Sequence, residues 1–377
     1  MTYMKRILKL KRLWLLIFLP AGIIYLLLSM NSRYFAENIA AGGIFKALSQ
    51  GISSVTGLVP FSLCECILVS SPVWVTVLIV LYIRSIKKHN GERGYYAVKG
   101  IVNALCVFGI GFFIFEVLMG SNYYRLSFLD YCPYSASDYD ADDLYDMCEE
   151  YVDNLNVLCR EVERDEFGFT KLSGSFRETA KSADATMDKL AEFYPVLKGN
   201  YGYAKPVMIS PLWSYTHIIG MYFPFTVESN INTDIAECYI PSTMCHELCH
   251  MRGIAYENEA NFVGYLASTN SDDPLFRYSG YWEAFDKCVA ELNRYDPDGC
   301  ARLWDKLDDR VIADYAADYY YWQRIDEGKV SEAVRTVSNT VNDTYLKVNG
   351  QEDGVKTYSY CVTLMLAEYR YRKNSGM

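Results

Sequence analysis

The chain of 377 residues contains only four histidines. A pattern that needs two histidines at a fixed spacing is therefore improbable by chance, and one such pattern is present in the second half of the chain. The sequence also lacks a fixed-period repeat, a low-complexity segment and a long linker, which excludes a repeat array. Basic residues are in deficit as well, with 36 Lys and Arg against 46 Asp and Glu.

Charge is distributed unevenly along the chain. Residues 1–120 carry 12 Lys and Arg against 4 Asp and Glu, whereas the remaining residues carry 24 against 42. An acidic surface repels the phosphate backbone, so nucleic acid is not expected as a partner. The same charge disfavours a domain that lies flat on anionic lipid.

Long apolar runs are confined to the first 120 residues, and three of them are long enough to cross a bilayer core of about 30 Å as helices. We predict transmembrane helices at residues 13–30, 62–83 and 101–119. The second has the least certain start, because the weaker apolar stretch 52–67 runs into it. A signal peptide is the competing interpretation of the first run, but no small-residue cleavage site follows and two more spans come after it.

Basic residues flank these runs and predict an orientation. Two basic segments border the runs, at residues 5–12 and 84–99. The positive-inside rule places both in the cytoplasm. We therefore predict a multi-pass protein of the cell membrane with a cytoplasmic N-terminus. Residues 1–120 would form the membrane region in contact with the lipid bilayer, and residues 121–377 would form one extracytoplasmic domain.

Two of the four histidines form the pattern His246-Glu247-Leu248-Cys249-His250. On an α-helix, residues i and i+4 lie on one face, so both imidazoles can reach a single Zn²⁺. Glu247 then lies beside the metal, where a carboxylate can take a proton from a metal-bound water. We predict His246 and His250 as zinc ligands and Glu247 as the catalytic base. The alternative is a helix with two ordinary surface or core histidines.

A zinc site of this kind needs a third protein ligand. Gly253 follows the histidine pair and can end the helix in the left-handed conformation, so that a second helix starts near Tyr256. We predict Glu257 as the third ligand, with Glu259 as its rival, and Asn261 as a group that orients a histidine or the carboxylate. Small residues on the same face permit close approach of the two helices: Ala260, Gly264 and Ser268.

Several stretches of the sequence resemble one known family: the metal motif, Tyr215–Thr226, Glu228–Asn232 and Tyr345–Gln351. This is an uncharacterised bacterial family, the domain of unknown function 3810. The resemblance implies a membrane-bound, zincin-like metallopeptidase. The order Glu-x-x-Ala-Asn that starts at Glu257 is also similar to the Glu-x-x-Ala-Asp signature of gluzincin peptidases, in which the glutamate binds zinc. Asn261 replaces the acidic residue of that signature, and His217 stands where glycine is expected in relatives.

The fold is expected to be mainly α (α+β): multi-span transmembrane helices followed by a zincin-like metallopeptidase domain with a small β-sheet and the HExxH helix. Helical periodicity predicts helices at residues 140–163, 182–197, 281–295, 301–312, 330–346 and 358–371. Pro206–Ser210 and Thr226–Asn232 have strand patterns. By the resemblance, the second strand is expected to be an edge strand that pairs with an extended peptide substrate. A strand inside the sheet is the alternative.

Twelve cysteines are present, nine of them after residue 120. An exported domain favours disulfides, but nine is an odd number and the pairing does not follow from spacing. Cys245 and Cys249 lie about a hundred degrees from the histidine face of the motif helix, which favours buried packing over metal binding. Cys64, Cys66 and Cys106 are expected to be buried small side chains in or near the spans.

The predicted function is hydrolysis of peptide bonds by a membrane-anchored zinc metallopeptidase, with a peptide or protein as substrate. The oxyanion formed in this reaction needs a second electrophile besides the metal. Nothing selects among four candidates by residue type and position: Tyr215, His217, Tyr222 and Tyr256. The alternative function is a catalytically silent, membrane-tethered sensor or binding protein. Intramembrane proteolysis is excluded because residues 226–262 are rich in polar groups, and no feature indicates an oligomeric state.

Overall fold

A computed structural model of the protein describes residues 3–136, 139–327, 336, 340 and 358–376. Within these residues the chain is mainly helical, with one three-stranded sheet. The α-helices up to residue 120 are α1 (Tyr3–Ile7), α2 (Phe18–Asn31), α3 (Lys46–Thr56), α4 (Leu63–Lys88) and α5 (Arg93–Leu118). The later helices are α6 (Ala141–Leu158), α7 (Phe176–Phe193), α8 (Ser210–Ser214), α9 (Ile240–Met251), α10 (Glu257–Thr269), α11 (Pro274–Leu292), α12 (Pro297–Asp305), α13 (Asp309–Asp326) and α14 (Tyr358–Ser375).

Three helical segments are long and apolar enough to cross a membrane: Lys11–Asn31, Leu63–Lys88 and Asn90–Leu118. These three candidate spans, called spans below, overlap the three predicted ones, and the third begins eleven residues before its predicted start. The uncertain start of the second span is resolved by a helix cap, because the Ser62 hydroxyl accepts a hydrogen bond from the Glu65 amide at 2.8 Å. An N-cap of this kind satisfies a backbone donor that the first helical turn leaves free. The weaker apolar stretch before Ser62 therefore does not belong to the span.

The segment between the first and second spans is helical and packs on the later part of the chain. It consists of a π-helical stretch, Phe35–Phe45, that continues directly into α3. Glu37 forms an ion pair with Arg125 at 3.0 Å, and the Thr56 hydroxyl donates to the Thr226 carbonyl at 3.0 Å. The two parts of the chain on either side of residue 120 are therefore in direct contact.

The sheet has the strand order β1-β3-β2, where β1 is Lys205–Val207, β2 is Gly220–Phe223 and β3 is Glu228–Asn232. β3 runs parallel to β1 and antiparallel to β2. Every residue of β3 is buried. The prediction that Thr226–Asn232 is an edge strand is therefore wrong, because this strand has a hydrogen-bonded neighbour on each side. The alternative, a strand inside the sheet, is confirmed, and β2 is an edge strand of this sheet.

Most predicted helices of the domain are present, with shifted ends. α7 begins six residues before the predicted start, because Ser175 and Glu178 form a reciprocal capping box. The single helix predicted at residues 301–312 is wrong. The chain breaks between α12 and α13, and Asp308 caps α13 through the Arg310 amide at 3.1 Å. The helix predicted at residues 330–346 lies outside the described residues.

α9 occupies the centre of the domain and packs against α7, α10, α11 and two strands of the sheet. α10 crosses it closely: a Cβ atom on Gly264 would lie 3.2 Å from the His246 backbone nitrogen. The expected close approach along the small-residue face of α10 is therefore confirmed. This crossing brings the start of α10 towards the histidine face of α9.

All twelve cysteines are free in the structure. Cys245 and Cys249 are completely buried, as predicted, and the Cys249 thiol donates to the Cys245 carbonyl at 3.0 Å. Cys64 and Cys106 are buried as well, whereas the prediction is wrong for Cys66, which is exposed. Its position on α4 turns the thiol away from the rest of the protein.

Candidate metal centre

Two imidazoles face each other on α9. The Nε2 atoms of His246 and His250 lie 3.2 Å apart, and the two rings are nearly perpendicular. The spacing i and i+4 places both side chains on one face of the helix. The structure therefore confirms the shared face that the pattern predicts.

His250 has a defined tautomer because its second ring nitrogen is engaged. Nδ1 lies 2.7 Å from the Ile254 carbonyl oxygen, which can only accept a hydrogen bond. Nδ1 therefore carries a proton, and the lone pair of the neutral ring is on Nε2, towards His246. Metal-binding histidines commonly donate their other ring N–H to a carbonyl or carboxylate in this way. The His250 side chain is 5 % exposed.

The turn after α9 depends on a glycine. Gly253 has φ +89°, in the left-handed region that favours glycine. A Cβ atom there would lie 2.9 Å from Phe45 Cε1 and 3.0 Å from Arg125 Nη1. Arg125 also donates to the Gly253 carbonyl at 3.2 Å. The turn is therefore held by residues that precede it by more than a hundred positions.

Glu257, the first residue of α10, completes the group. Its Oε2 lies 3.2 Å from His246 Nε2, and its Oε1 lies 3.6 Å from His250 Nε2. Ligands at 2.0–2.1 Å in a tetrahedral zinc site are separated by roughly 3.3 Å. The ligand atoms of His246, His250 and Glu257 all lie within 4.8 Å of one another, so this group could hold a metal ion.

Glu259, the rival of Glu257, has a different role. Its carboxylate accepts hydrogen bonds from the Ser127 hydroxyl at 2.7 Å and from the Phe128 amide. The Glu259 carboxylate therefore holds the short helical turn that starts at Phe128. It is directed away from the histidines. Among the described residues, no hydrogen bond joins the Asn261 side chain to His246, His250 or Glu257, so the predicted orienting role gains no support.

The charges of the three groups depend on one another. Burial alone would lower the pKa of His250, but the carboxylates of Glu257 and Glu247 outweigh burial and raise it to about 9. Burial would raise the pKa of Glu257, but the two imidazoles hold it well below its ordinary range. Without a metal, the site at neutral pH therefore pairs a protonated His250 with an ionised Glu257. A metal cation would displace that proton.

Glu247 lies beside the group and is 4 % exposed. Its carboxylate accepts a hydrogen bond from the backbone N–H of Tyr222, while its Oε2 is buried without a hydrogen-bond partner among the described residues. Burial raises the pKa of this carboxyl above its ordinary value. A buried acceptor with no partner is costly, so it indicates a position prepared for a donor that arrives from outside.

Gly220, at the start of β2, is a site residue that the sequence analysis missed. A Cβ atom there would lie 2.5 Å from Glu247 Oε1 and 2.9 Å from Thr243 Cγ2. The strand can thus lie directly on the Glu247 carboxylate only because this residue has no side chain. The only signal in the sequence is a glycine at the start of a short apolar run.

The four candidates for oxyanion stabilisation are placed unequally. The hydroxyls of Tyr222 and Tyr256 donate to the backbone carbonyls of Leu118 at 3.2 Å and Tyr123 at 2.9 Å. Their protons are thus engaged at the end of the third span. His217 has the unusual φ of +55°, in the left-handed region that favours glycine.

His217 is also held by α13, outside the metal group. Its Nε2 lies 2.9 Å from Asp326 Oδ1, and its ring stacks on Trp322 with a centroid distance of 4.8 Å. Tyr215 is 42 % exposed. The structure does not select an oxyanion donor among the four.

Comparison with known proteins assigns the chain to a family. The model of one family, described as a protein of unknown function (DUF3810), matches residues 41–366, which include the metal group and most of the chain. No curated protein and no solved structure matches the chain. Since the match covers well over half of the sequence, the chain belongs to the DUF3810 family.

Proposed function

We propose that this protein is a membrane-anchored zinc metallopeptidase that hydrolyses peptide bonds on the outer face of the membrane. The observation that carries the proposal is the geometry of one group: two imidazole nitrogens and a carboxylate within 3.2–3.6 Å of one another. Two nitrogen donors and one oxygen donor suit Zn²⁺, and catalytic zinc sites use three protein ligands of this kind. The buried Glu247 beside this group adds the base that such a site needs.

The residues of the chain have distinct roles in the proposed reaction. Zn²⁺ bound by His246, His250 and Glu257 would act as a Lewis acid on a water molecule and on the substrate carbonyl. Glu247 accepts the proton of the attacking water through its unpartnered Oε2 and delivers it to the leaving amine. The Ile254 carbonyl keeps the His250 Nε2 lone pair directed at the metal position. The Tyr222 amide holds the Glu247 carboxylate in place.

β2 replaces β3 as the proposed binding strand for the substrate. Among the described residues β2 has only β3 as a neighbouring strand, and the Tyr222 amide on β2 is already used by Glu247. We propose that the remaining backbone groups of this edge pair with an extended peptide. Gly220 at the start of β2 lies against Glu247. A peptide added along this edge would pass over the catalytic base.

Contacts at the end of the spans that is opposite the metal group support the proposed orientation of the chain in the membrane. Arg6 forms an ion pair with Glu92 in the turn between α4 and α5, and its guanidinium lies 4.1 Å from the centroid of the Tyr95 ring. The N-terminus and the turn therefore lie on the same side of the three spans. Both are basic segments, and the positive-inside rule assigns that side to the cytoplasm.

Zinc analysis and peptide cleavage by the purified full-length chain test the proposal. We expect one zinc per chain, lost in His246→Ala and kept in the matched control His217→Ala, together with cleavage of a peptide library. Absence of zinc from the native chain would refute the metallopeptidase. Retained zinc without any cleavage would instead favour the sensor or binding protein.

Zinc affinity is expected to rise with pH from neutral pH to about 9. Because the pKa of His250 is raised to about 9 in the metal-free site, zinc must displace one proton below that value. Linkage then predicts a change of about tenfold in the dissociation constant for each pH unit. Competition with a chromophoric chelator across this range measures the slope. An affinity that does not depend on pH below 9 would contradict the assigned protonation state.

Gly220→Ala is expected to reduce kcat/KM about 100-fold while zinc content is unchanged. The added methyl group would collide with the Glu247 carboxylate, so the base must shift by a good part of an ångström, and displacements of that size are costly in catalysis. Gly94→Ala is the control, because a Cβ atom there meets nothing within 4 Å. Equal activity of the two variants would show that β2 does not constrain Glu247.

A further inference from the structure

The helix α3, which follows the first span, is amphipathic. Its polar face packs against the protein and its apolar face is exposed, the reverse of the usual arrangement in a water-soluble protein. Ser49 and Ser53 on α3 are 0 % and 1 % exposed. The Ser53 hydroxyl accepts a hydrogen bond from the Gly202 amide at 2.8 Å, and the Gln50 side chain accepts one from the Asn200 amide at 2.8 Å. Gln50 and Ser53 thus contact the domain, whereas Ser54 is exposed and donates to the Gln50 carbonyl within the helix.

The opposite face of the same helix is apolar and exposed. Ile44, Leu48, Val55 and Leu58 are 37 %, 46 %, 66 % and 83 % exposed. Leu48 and Val55 lie seven residues apart on one face of α3, Ile44 precedes them in the π-helical stretch, and Leu58 follows them in the turn after α3. A helix at a water-exposed surface has the reverse arrangement, so this stripe needs an apolar environment. We name these four residues the apolar stripe.

The position of the apolar stripe identifies that environment. α3 is joined to the first span through the π-helical stretch, and only six residues separate it from the second span at Leu63. Lys46 is the only charged residue between Asn38 and Cys64. The exposed apolar surface continues through Phe61 to Ile67 on α4. A protein partner would commonly meet a rim of charged groups, and this segment supplies only Lys46.

We propose that α3 is an interfacial helix whose apolar stripe inserts into the lipid leaflet on the side of the domain. Helices of this kind bury one face at the boundary between headgroups and acyl chains. Phe45, on the inner side of this helical segment, lies against the Gly253 turn. The turn between the two metal-binding helices is therefore held within about one helix diameter, roughly 10 Å, of the lipid. The proposal concerns membrane contact and does not depend on the peptidase activity.

Photo-crosslinking of the full-length chain in lipid nanodiscs tests this inference. p-Benzoylphenylalanine replaces Val55 or Leu58, and the discs contain phosphatidylethanolamine and phosphatidylglycerol. Val73, 62 % exposed on α4, is the control inside a span, and Phe167, 75 % exposed in the loop after α6, is the control on the domain. Mass spectrometry of the irradiated protein is expected to show lipid adducts at positions 55, 58 and 73 and none at 167.

Two results would overturn the inference. One is crosslinking of positions 55 and 58 to a second copy of the chain, which would make the apolar stripe a protein interface. The other is the absence of lipid adducts at both positions while position 73 gives them. Unfolding midpoints equal to that of the native chain show that the substituted proteins are folded.

Discussion

Glu247→Gln is expected to lower the rate of peptide cleavage by about 10²–10⁴-fold, the usual contribution of a general base, while the protein keeps its zinc. The amide has nearly the shape of the carboxylate and can still accept the Tyr222 hydrogen bond, but it cannot take a proton from water. Because Glu247 is not one of the three groups that face one another at the metal position, metal content does not change. Turnover with a peptide from the library, and zinc analysis of the same preparation, measure both effects.

Two neighbouring glutamates provide matched controls for this substitution. Glu257→Gln removes the ionised oxygen ligand and is expected to lose both zinc and activity. Glu259 is a buried glutamate on the same helix, but its carboxylate contacts Ser127 instead of the histidines. Glu259→Gln is therefore expected to keep both zinc and activity. If Glu247→Gln retained native turnover, Glu247 would not be the base. If Glu259→Gln lost zinc and Glu257→Gln kept it, the ligand assignment would be reversed.

The metal group was predictable because its geometry is local. His246 and His250 share a face by helical periodicity alone, and Gly253 marks the turn that brings Glu257 back to them. The distinction between Glu257 and Glu259 needed the structure. Both lie in the first turn of one helix, and only the contact of Glu259 with Ser127, far away in sequence, separates their roles.

The order of the strands was not predictable from local pattern. Alternating residues identify a strand but do not determine which strands lie beside it. The expectation that Thr226–Asn232 forms an edge came from the family resemblance, and this strand lies inside the sheet. The role of Gly220 was not predictable for the same reason. Gly220 comes close to Glu247 only when β2 packs on α9, and the local sequence does not show this packing. Helical periodicity likewise shows that α3 has two faces without showing that the polar face is the buried one.

The second large effect is expected for Glu228→Ala, which should reduce the free energy of unfolding by about 3–5 kcal/mol. Glu228, on β3, forms a buried ion pair with Lys205; the two side chains are 1 % and 6 % exposed. It also accepts hydrogen bonds from the Cys64 amide at 2.9 Å and the Leu63 amide at 3.3 Å, at the start of α4. One carboxylate therefore neutralises a buried ammonium group and caps the second span, where the helix dipole favours a negative charge.

Removal of the Glu228 side chain would leave the Lys205 ammonium buried without its counter-charge, and most of the loss comes from this group. Lys205→Met combined with Glu228→Leu should therefore recover much of the stability, since apolar replacement of a complete buried pair is often nearly neutral. Glu166→Ala, on the exposed surface, is the control, with an expected change within about 0.5 kcal/mol. Denaturant unfolding of the full-length chain in detergent micelles, followed by near-ultraviolet circular dichroism, measures all three. A loss below about 1 kcal/mol for Glu228→Ala would mean that water replaces the carboxylate and that the sheet does not depend on its contact with the second span.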